Sequence, residues 1–339
     1  METGTIVLDD LSGGFDLQAT LESGQTYQWE RADGRAYEDD DARGGEQWYA
    51  TVVPRNVYED RATRNGNTSR DAETSVEPGT NPRPEGREPG GEDPSSGYEV
   101  IRARQLDGEL QWEATTDARP YLRYLLGLDD DLEGILSQGP ADPLLERAYE
   151  RYAGLRIVRD PPFPTLISFI CSAQMRVLRI HRMQRRLARE FGNEVEFDGR
   201  TYHAFPTPER LASASEGELR DLSLGYRAPY VKRSAELVAD GSAHPAAARG
   251  MDLEDAREYL KRFVGVGDKV ADCVLLFSLG YLEAVPLDTW IRTAIAEFYP
   301  DCEKGSYAET SRAIREALGG EYAGYVQTYV FYYLRTGGE

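Results

Sequence analysis

Lys269 stands in "FVGVGDKVADC", where two glycines flank a valine and a lysine opens an apolar helix, with Cys273 on the same face four residues later. A lysine in the first turn opposes the helix dipole, so the position is unfavourable unless the amine is used. An amine there is suited to attack an electrophilic carbon and form a Schiff base. The competing reading is a solvated surface lysine. The chain has only four lysines, Lys232, Lys261, Lys269 and Lys304, which gives a retained one more weight. Nineteen residues on, "AVPLDTWIRTAIAEF" places Asp288 just before the next helix. It is a natural N-cap. A carboxylate fixed at that point can also stabilise positive charge or move a proton. Gly265 and Gly267 make the hairpin tight and leave backbone amides pointing outward, which suits a phosphate. A simple packing corner would use the same glycines.

These residues need elements to hold them. "DLEDAREYLKRF", the glycine turn and "DKVADCVLLFSLG" read as helix, hairpin, helix over about 252–280. "PFPTLISFICSAQ" is nearly all apolar and predicts a central buried helix. "RVLRIHRMQRRLAREFG" follows, and Arg176, Arg179, Arg182 and Arg186 share helical spacing as one basic stripe. A series of amphipathic helices fills the chain from residue 117 to 339. Before it, "TIVLDD", "FDLQATL", "TYQWERA", "QWYATVV", "YEVIRARQ" and "GELQWEATT" alternate as strands. The expected architecture is α+β: an N-terminal antiparallel β domain over 1–116, then an all-helical region over 117–339. The polar stretch from about 59 to 97 has Val76 as its one large apolar residue and reads as a disordered insertion.

The chain has 339 residues and a net charge of −20, from 59 acidic and 39 basic residues. An acid-rich, lysine-poor surface suits concentrated salt and points to a haloarchaeal source, with a merely acidic mesophile as the competing reading. In such salt, global charge says little about partners, because screening acts over a few ångströms. Local patches then matter more, and the arginine stripe is the one expected against DNA. The three cysteines, Cys171, Cys273 and Cys302, are far apart and odd in number, which excludes a disulfide framework or a four-cysteine cluster. The first residues carry no signal-peptide pattern, and no run reaches membrane-spanning length. A cytoplasmic, nucleoid-associated monomer away from membranes is expected, nuclear only if the source is eukaryotic.

The hairpin, the lysine and "VPLD", together with "SFICSAQ" (Ser168 to Gln174), "LGYRAPYV" (Leu224 to Val231), "LESGQTYQW" (Leu21 to Trp29) and "YAGYVQTYVF" (Tyr322 to Phe331), resemble the helix-hairpin-helix DNA glycosylase superfamily. Within it, the chain is similar to the eukaryotic-type 8-oxoguanine DNA glycosylase/lyase. The motifs keep the family's order over nearly the whole chain outside the polar insertion. The resemblance implies that Lys269 attacks the sugar C1′ and that Asp288 is its carboxylate. It implies that Cys273 and Phe331 sandwich the extruded base and Gln327 reads its Watson–Crick edge. The Gly24 carbonyl would accept the N7 hydrogen that 8-oxoguanine has and guanine lacks. Arg179 and Arg227 would contact the cytosine left behind, Tyr226 would wedge into the stack, and Gln174 would fill the vacated hole. The amides of Gly265 and Gly267 would hold a phosphate of the double-stranded DNA. No metal or cofactor is implied. The family commonly has Asn in place of Gln174 and His in place of Trp290; the indole cannot make a histidine's contact to a phosphate. The competing functions are a monofunctional alkylated-base glycosylase and a non-catalytic DNA-binding module that uses the hairpin alone.

Overall fold

The computed structural model describes residues 1–38, 43–57 and 97–338. The polar segment from about 59 to 97 lies outside the described residues, apart from Gly97.

Five strands form one antiparallel sheet: β1 (Glu2–Val7), β2 (Glu30–Arg31), β3 (Tyr49–Pro54), β4 (Tyr98–Leu106) and β5 (Glu109–Ala114), in the order β1-β5-β4-β3-β2. Asp107 and Gly108, both at positive φ, turn β4 back into β5. Such an Asp-Gly pair matches the twist of a hairpin. Ile6, Ile101, Leu110 and Trp112 point to one face of the sheet. The helix Arg119–Leu125 covers that face, with Leu122 and Leu125 in the same core.

"FDLQATL" is a helix, Leu17–Glu22, and not a strand. Asp16 caps it by accepting from the Ala19 amide at 2.8 Å. The apolar residues alternate in sequence, which mimics a strand. Yet Thr20 and Glu22 are also buried and only Gln18 is half-buried, so this short helix is enclosed nearly all round and shows no helical period. A second departure lies in the helical half, which carries a two-stranded hairpin: β6 (Glu194–Phe197) and β7 (Arg200–His203). Otherwise that half is helical, as the sequence predicts.

The helical core is built around Pro162–Cys171, buried from Thr165 to Cys171. Against it pack the helix Asp268–Val274, the helix Ala228–Ala239 and the start of Val177–Phe191. The C-terminal helix Ala323–Arg335 is almost wholly buried and runs beside Pro143–Arg151 and Thr289–Phe298. This arrangement gathers five distant segments around one cleft: the turn after Leu17–Glu22, the end of the central helix, the hairpin helix, the start of Thr289–Phe298 and the C-terminal helix.

Candidate active site

The cleft measures about 930 Å³, and Gly24, Gln174, Lys269, Cys273, Asp288, Gln327 and Phe331 all line it. These residues come from segments up to three hundred positions apart.

Lys269 lies in the first turn of Asp268–Val274, as read from sequence. Its amine donates to the Ser172 hydroxyl at 3.4 Å and sits 5.5 Å above the Phe169 ring. Gly265 has φ +85°, and a Cβ there would lie 2.8 Å from the Tyr230 ring. The hairpin therefore demands glycine at that point. Gly267 has φ −102° and open space around it, so its conformation makes no such demand. Asp288 caps Thr289–Phe298 by accepting from the Ile291 amide at 2.9 Å. Burial raises its carboxyl above the usual carboxylate range, against the pull of that amide and of the Lys269 charge. Burial also pushes the Cys273 thiol up to about 12, so it stays protonated and presents an apolar, polarisable face.

A buried chain that the sequence reading missed ties the aspartate's turn to the lysine's helix. Arg257 donates to Asp272 at 2.7 Å, and Tyr307 donates to the other Asp272 oxygen at 2.7 Å. The Tyr307 hydroxyl in turn accepts from the Leu287 amide at 3.1 Å. Leu287 precedes Asp288, and Asp272 stands between Lys269 and Cys273. Tyr307→Phe removes both hydrogen bonds of the hydroxyl. Denaturant unfolding should show a loss of about 1–3 kcal/mol. The single-turnover rate should fall about tenfold, with little change in affinity for DNA bearing an abasic-site analogue. An unchanged rate would show that the turn holds its place without Tyr307.

Gly24 has φ +101°, a region that side-chain-bearing residues rarely adopt. Its turn is pinned on several sides. Gln25 donates to the Thr20 and Arg156 carbonyls and accepts from the Val158 amide at 2.9 Å. Tyr37 donates to the Leu21 and Thr26 carbonyls, and Arg335 donates to the Glu22 carbonyl at 2.8 Å. Thr26 donates to the buried Asp160 at 2.5 Å. Burial pushes the Asp160 carboxyl up to about 7, despite the Thr26 hydroxyl. The unfolded chain releases that proton near pH 4. Between these values the native state holds a proton the unfolded state has lost, so Asp160 lowers stability progressively as pH rises from about 4 to about 7. Asp160→Asn removes the group. Melts at successive pH values should show the parent losing roughly 1.4 kcal/mol per pH unit relative to the variant across that window. Parallel curves would show that Asp160 ionises alike in both states.

Gln327 is buried, and its amide donates to the Thr328 hydroxyl at 2.8 Å. Phe331 follows one turn later and is half-buried. Gln174 has φ +52° and is exposed at the cleft edge. Asn tolerates that region better than Gln, so the departure from the family's Asn carries a backbone cost. Tyr226 is 55% exposed, and the Arg227 guanidinium lies 4.3 Å from its ring centre. Arg227 is itself buried and donates to the Ala173 carbonyl, which joins the Tyr226 loop to the Gln174 loop. Trp290, 40% exposed, lines the cleft beside Asp288.

The arginine stripe is shorter than its spacing suggests. Arg182 pairs with Glu38 at 3.3 Å, and Arg186 donates to Ser223 at 2.9 Å. Arg176 and Arg179 are exposed at the cleft end of the helix, without an ion pair among the described residues. Among the described residues, no group of three or more His, Cys, Asp or Glu side chains could hold a metal ion, and no helix is long and apolar enough to cross a membrane.

Two family models divide this chain. Residues 10–166 match the N-terminal domain of 8-oxoguanine DNA glycosylase, and 167–319 match the HhH-GPD superfamily base excision DNA repair protein. A protein of Methanothermobacter thermautotrophicus named "Probable N-glycosylase/DNA lyase" is 34% identical over 65% of this chain and 76% of its own length. This chain belongs to the HhH-GPD superfamily of base excision DNA repair proteins. The N-glycosylase/DNA lyase of Saccharomyces cerevisiae is 41% identical over 41% of this chain and 40% of its own length. A solved structure of MBOgg1 in complex with a low affinity DNA ligand covers 98% of this chain and 94% of that chain, at 26% identity and a TM-score of 0.73. The fold is shared too with the apo-form of the Clostridium acetobutylicum 8-oxoguanine glycosylase/lyase, at 23% identity and a TM-score of 0.73 over 98% of each chain.

Proposed function

We propose that this chain is a bifunctional DNA glycosylase and AP lyase that excises 8-oxoguanine from double-stranded DNA. The carrying observation is the shared cleft: Lys269 and Asp288 lie in it with Gly24, Cys273, Gln327 and Phe331. Chemistry at C1′ cannot reach a base inside the stack, so the nucleotide is flipped into the cleft. Its base lies between the Cys273 thiol and the Phe331 ring. Gln327 reads the Watson–Crick edge, and the Gly24 carbonyl accepts the N7 hydrogen. The Lys269 nitrogen attacks C1′ through its lone pair, and the bond to the base breaks, the base leaving with the electron pair and a proton. Asp288 stabilises the positive charge that builds on the sugar. Opening of the sugar ring gives an imine with Lys269. Loss of a C2′ proton then expels the 3′ phosphate by β-elimination, and water releases the lysine.

In this reading Tyr226 is the wedge, Gln174 at the cleft edge supplies the hole-filling amide, and Arg179 and Arg227 contact the opposite cytosine. The outward amides at Gly265 and Gly267 take a backbone phosphate. Three duplexes test this reading: 8-oxoguanine opposite cytosine, its undamaged counterpart, and one bearing an alkylated purine. Base release and alkali-independent nicking are expected on the first alone. Base release from the alkylated duplex without nicking would favour the monofunctional alternative, and binding without release would favour a DNA-binding module.

A further inference from the structure

Arg335 ends the C-terminal helix, one turn beyond Phe331 and two beyond Gln327, and lines the same cleft. Nη2 donates to the Glu22 carbonyl at 2.8 Å. The guanidinium lies 5.5 Å from the Phe331 ring centre and 4.8 Å from that of Tyr332. Nη1 is buried and makes no hydrogen bond among the described residues. It faces the Gly24 turn, 2.9 Å from where a Cβ on Gly24 would stand. A charged donor held dry and unmatched is unfavourable, and such groups in native proteins call for a partner.

We propose that Arg335 is a specificity-determining residue, whose Nη1 donates a hydrogen bond to O8 of the flipped 8-oxoguanine. The inference rests on the excision reading above. There the Gly24 carbonyl meets N7, and one of the two ring atoms bonded to N7 is C8, which carries the lesion's oxygen. A base seated against Phe331 with N7 at Gly24 holds O8 beside the turn that Nη1 faces. Guanine has only a C8 hydrogen there and leaves the donor unmatched. Base entry against the Phe331 ring uncovers Nη1, while Nη2 keeps its hold on Glu22. The two ends of one guanidinium thus fix the Gly24 turn and read the atom beside it.

The test separates O8 reading from a purely positioning role. Single-turnover excision is measured on duplexes carrying 8-oxoguanine or 8-thioguanine, which keeps the N7 hydrogen but offers sulfur, a weaker acceptor. Affinity for a duplex with an abasic-site analogue is measured alongside. The parent should prefer the oxygen lesion by about tenfold or more, as expected for one charge-assisted hydrogen bond. Arg335→Met keeps an apolar side chain against Phe331 without the donor. It should lose most of that preference while holding the abasic analogue within about twofold. Equal losses on both lesions would make Arg335 a support for the turn only and overturn the inference. Should Arg335→Met not fold, the parent still decides: equal rates on the two lesions would overturn the inference. A parent that excises neither lesion contradicts the excision reading itself.

Discussion

Lys269→Gln should reduce release of 8-oxoguanine by on the order of a thousandfold or more while leaving affinity for lesion-bearing duplex within a few-fold of the parent. The amide can still reach toward Ser172, the amine's partner at 3.4 Å, and the site is half-buried, so the helix should keep its place. What is lost is the nucleophile, and with it both the attack on C1′ and the imine. Single-turnover glycosylase rates beside equilibrium DNA binding check this. Parent-like release would move the chemistry to another residue. A parallel collapse of binding would mean that Lys269 holds DNA rather than attacks it.

Gly24→Ala should lower excision of 8-oxoguanine roughly 10–100-fold while changing affinity for an abasic-site analogue far less. Two physical causes act together. The backbone sits at φ +101°, where an added side chain is strained, and the new Cβ would stand 2.9 Å from Arg335 Nη1 and 3.4 Å from Phe331. Relief of either contact moves the carbonyl proposed to distinguish a protonated N7 from a bare one. A matched against an unmatched polar group is worth on the order of 1–3 kcal/mol. The abasic analogue has no base to read, so it reports only the DNA grip. Equal losses on both duplexes would mean that this turn supports binding in general.

The proposed catalytic pair is legible because its parts are close in sequence: a glycine hairpin, a lysine one turn into a helix, and an aspartate at the next helix start. What supports the pair was not legible. Tyr307 meets Asp272 across 35 residues, and Arg335 meets Glu22 across 313. No local period or spacing encodes such contacts. Two misreadings have local causes. In "FDLQATL" the alternation of Phe15, Leu17, Ala19 and Leu21 outweighed the Asp16 cap, because an enclosed helix shows no polar face. The β6–β7 hairpin could have been found: "EVEFDGRTYH" holds an Asp-Gly turn, and Asp198 and Gly199 both adopt positive φ. Spacing alone defines the arginine stripe, and spacing cannot foresee that Glu38 and Ser223 engage two of its members.

The central claim is that Lys269 forms the covalent link to the lesion strand. Borohydride reduction during turnover on a duplex with 8-oxoguanine opposite cytosine, followed by digestion and mass spectrometry, tests it most directly. With only four lysines in the chain, each can be scored separately. The expected result is one stable protein–DNA adduct on the lesion strand, mapped to Lys269 and absent with undamaged duplex. Release of the base with no adduct, or an adduct mapped to Lys232, Lys261 or Lys304, would contradict the account.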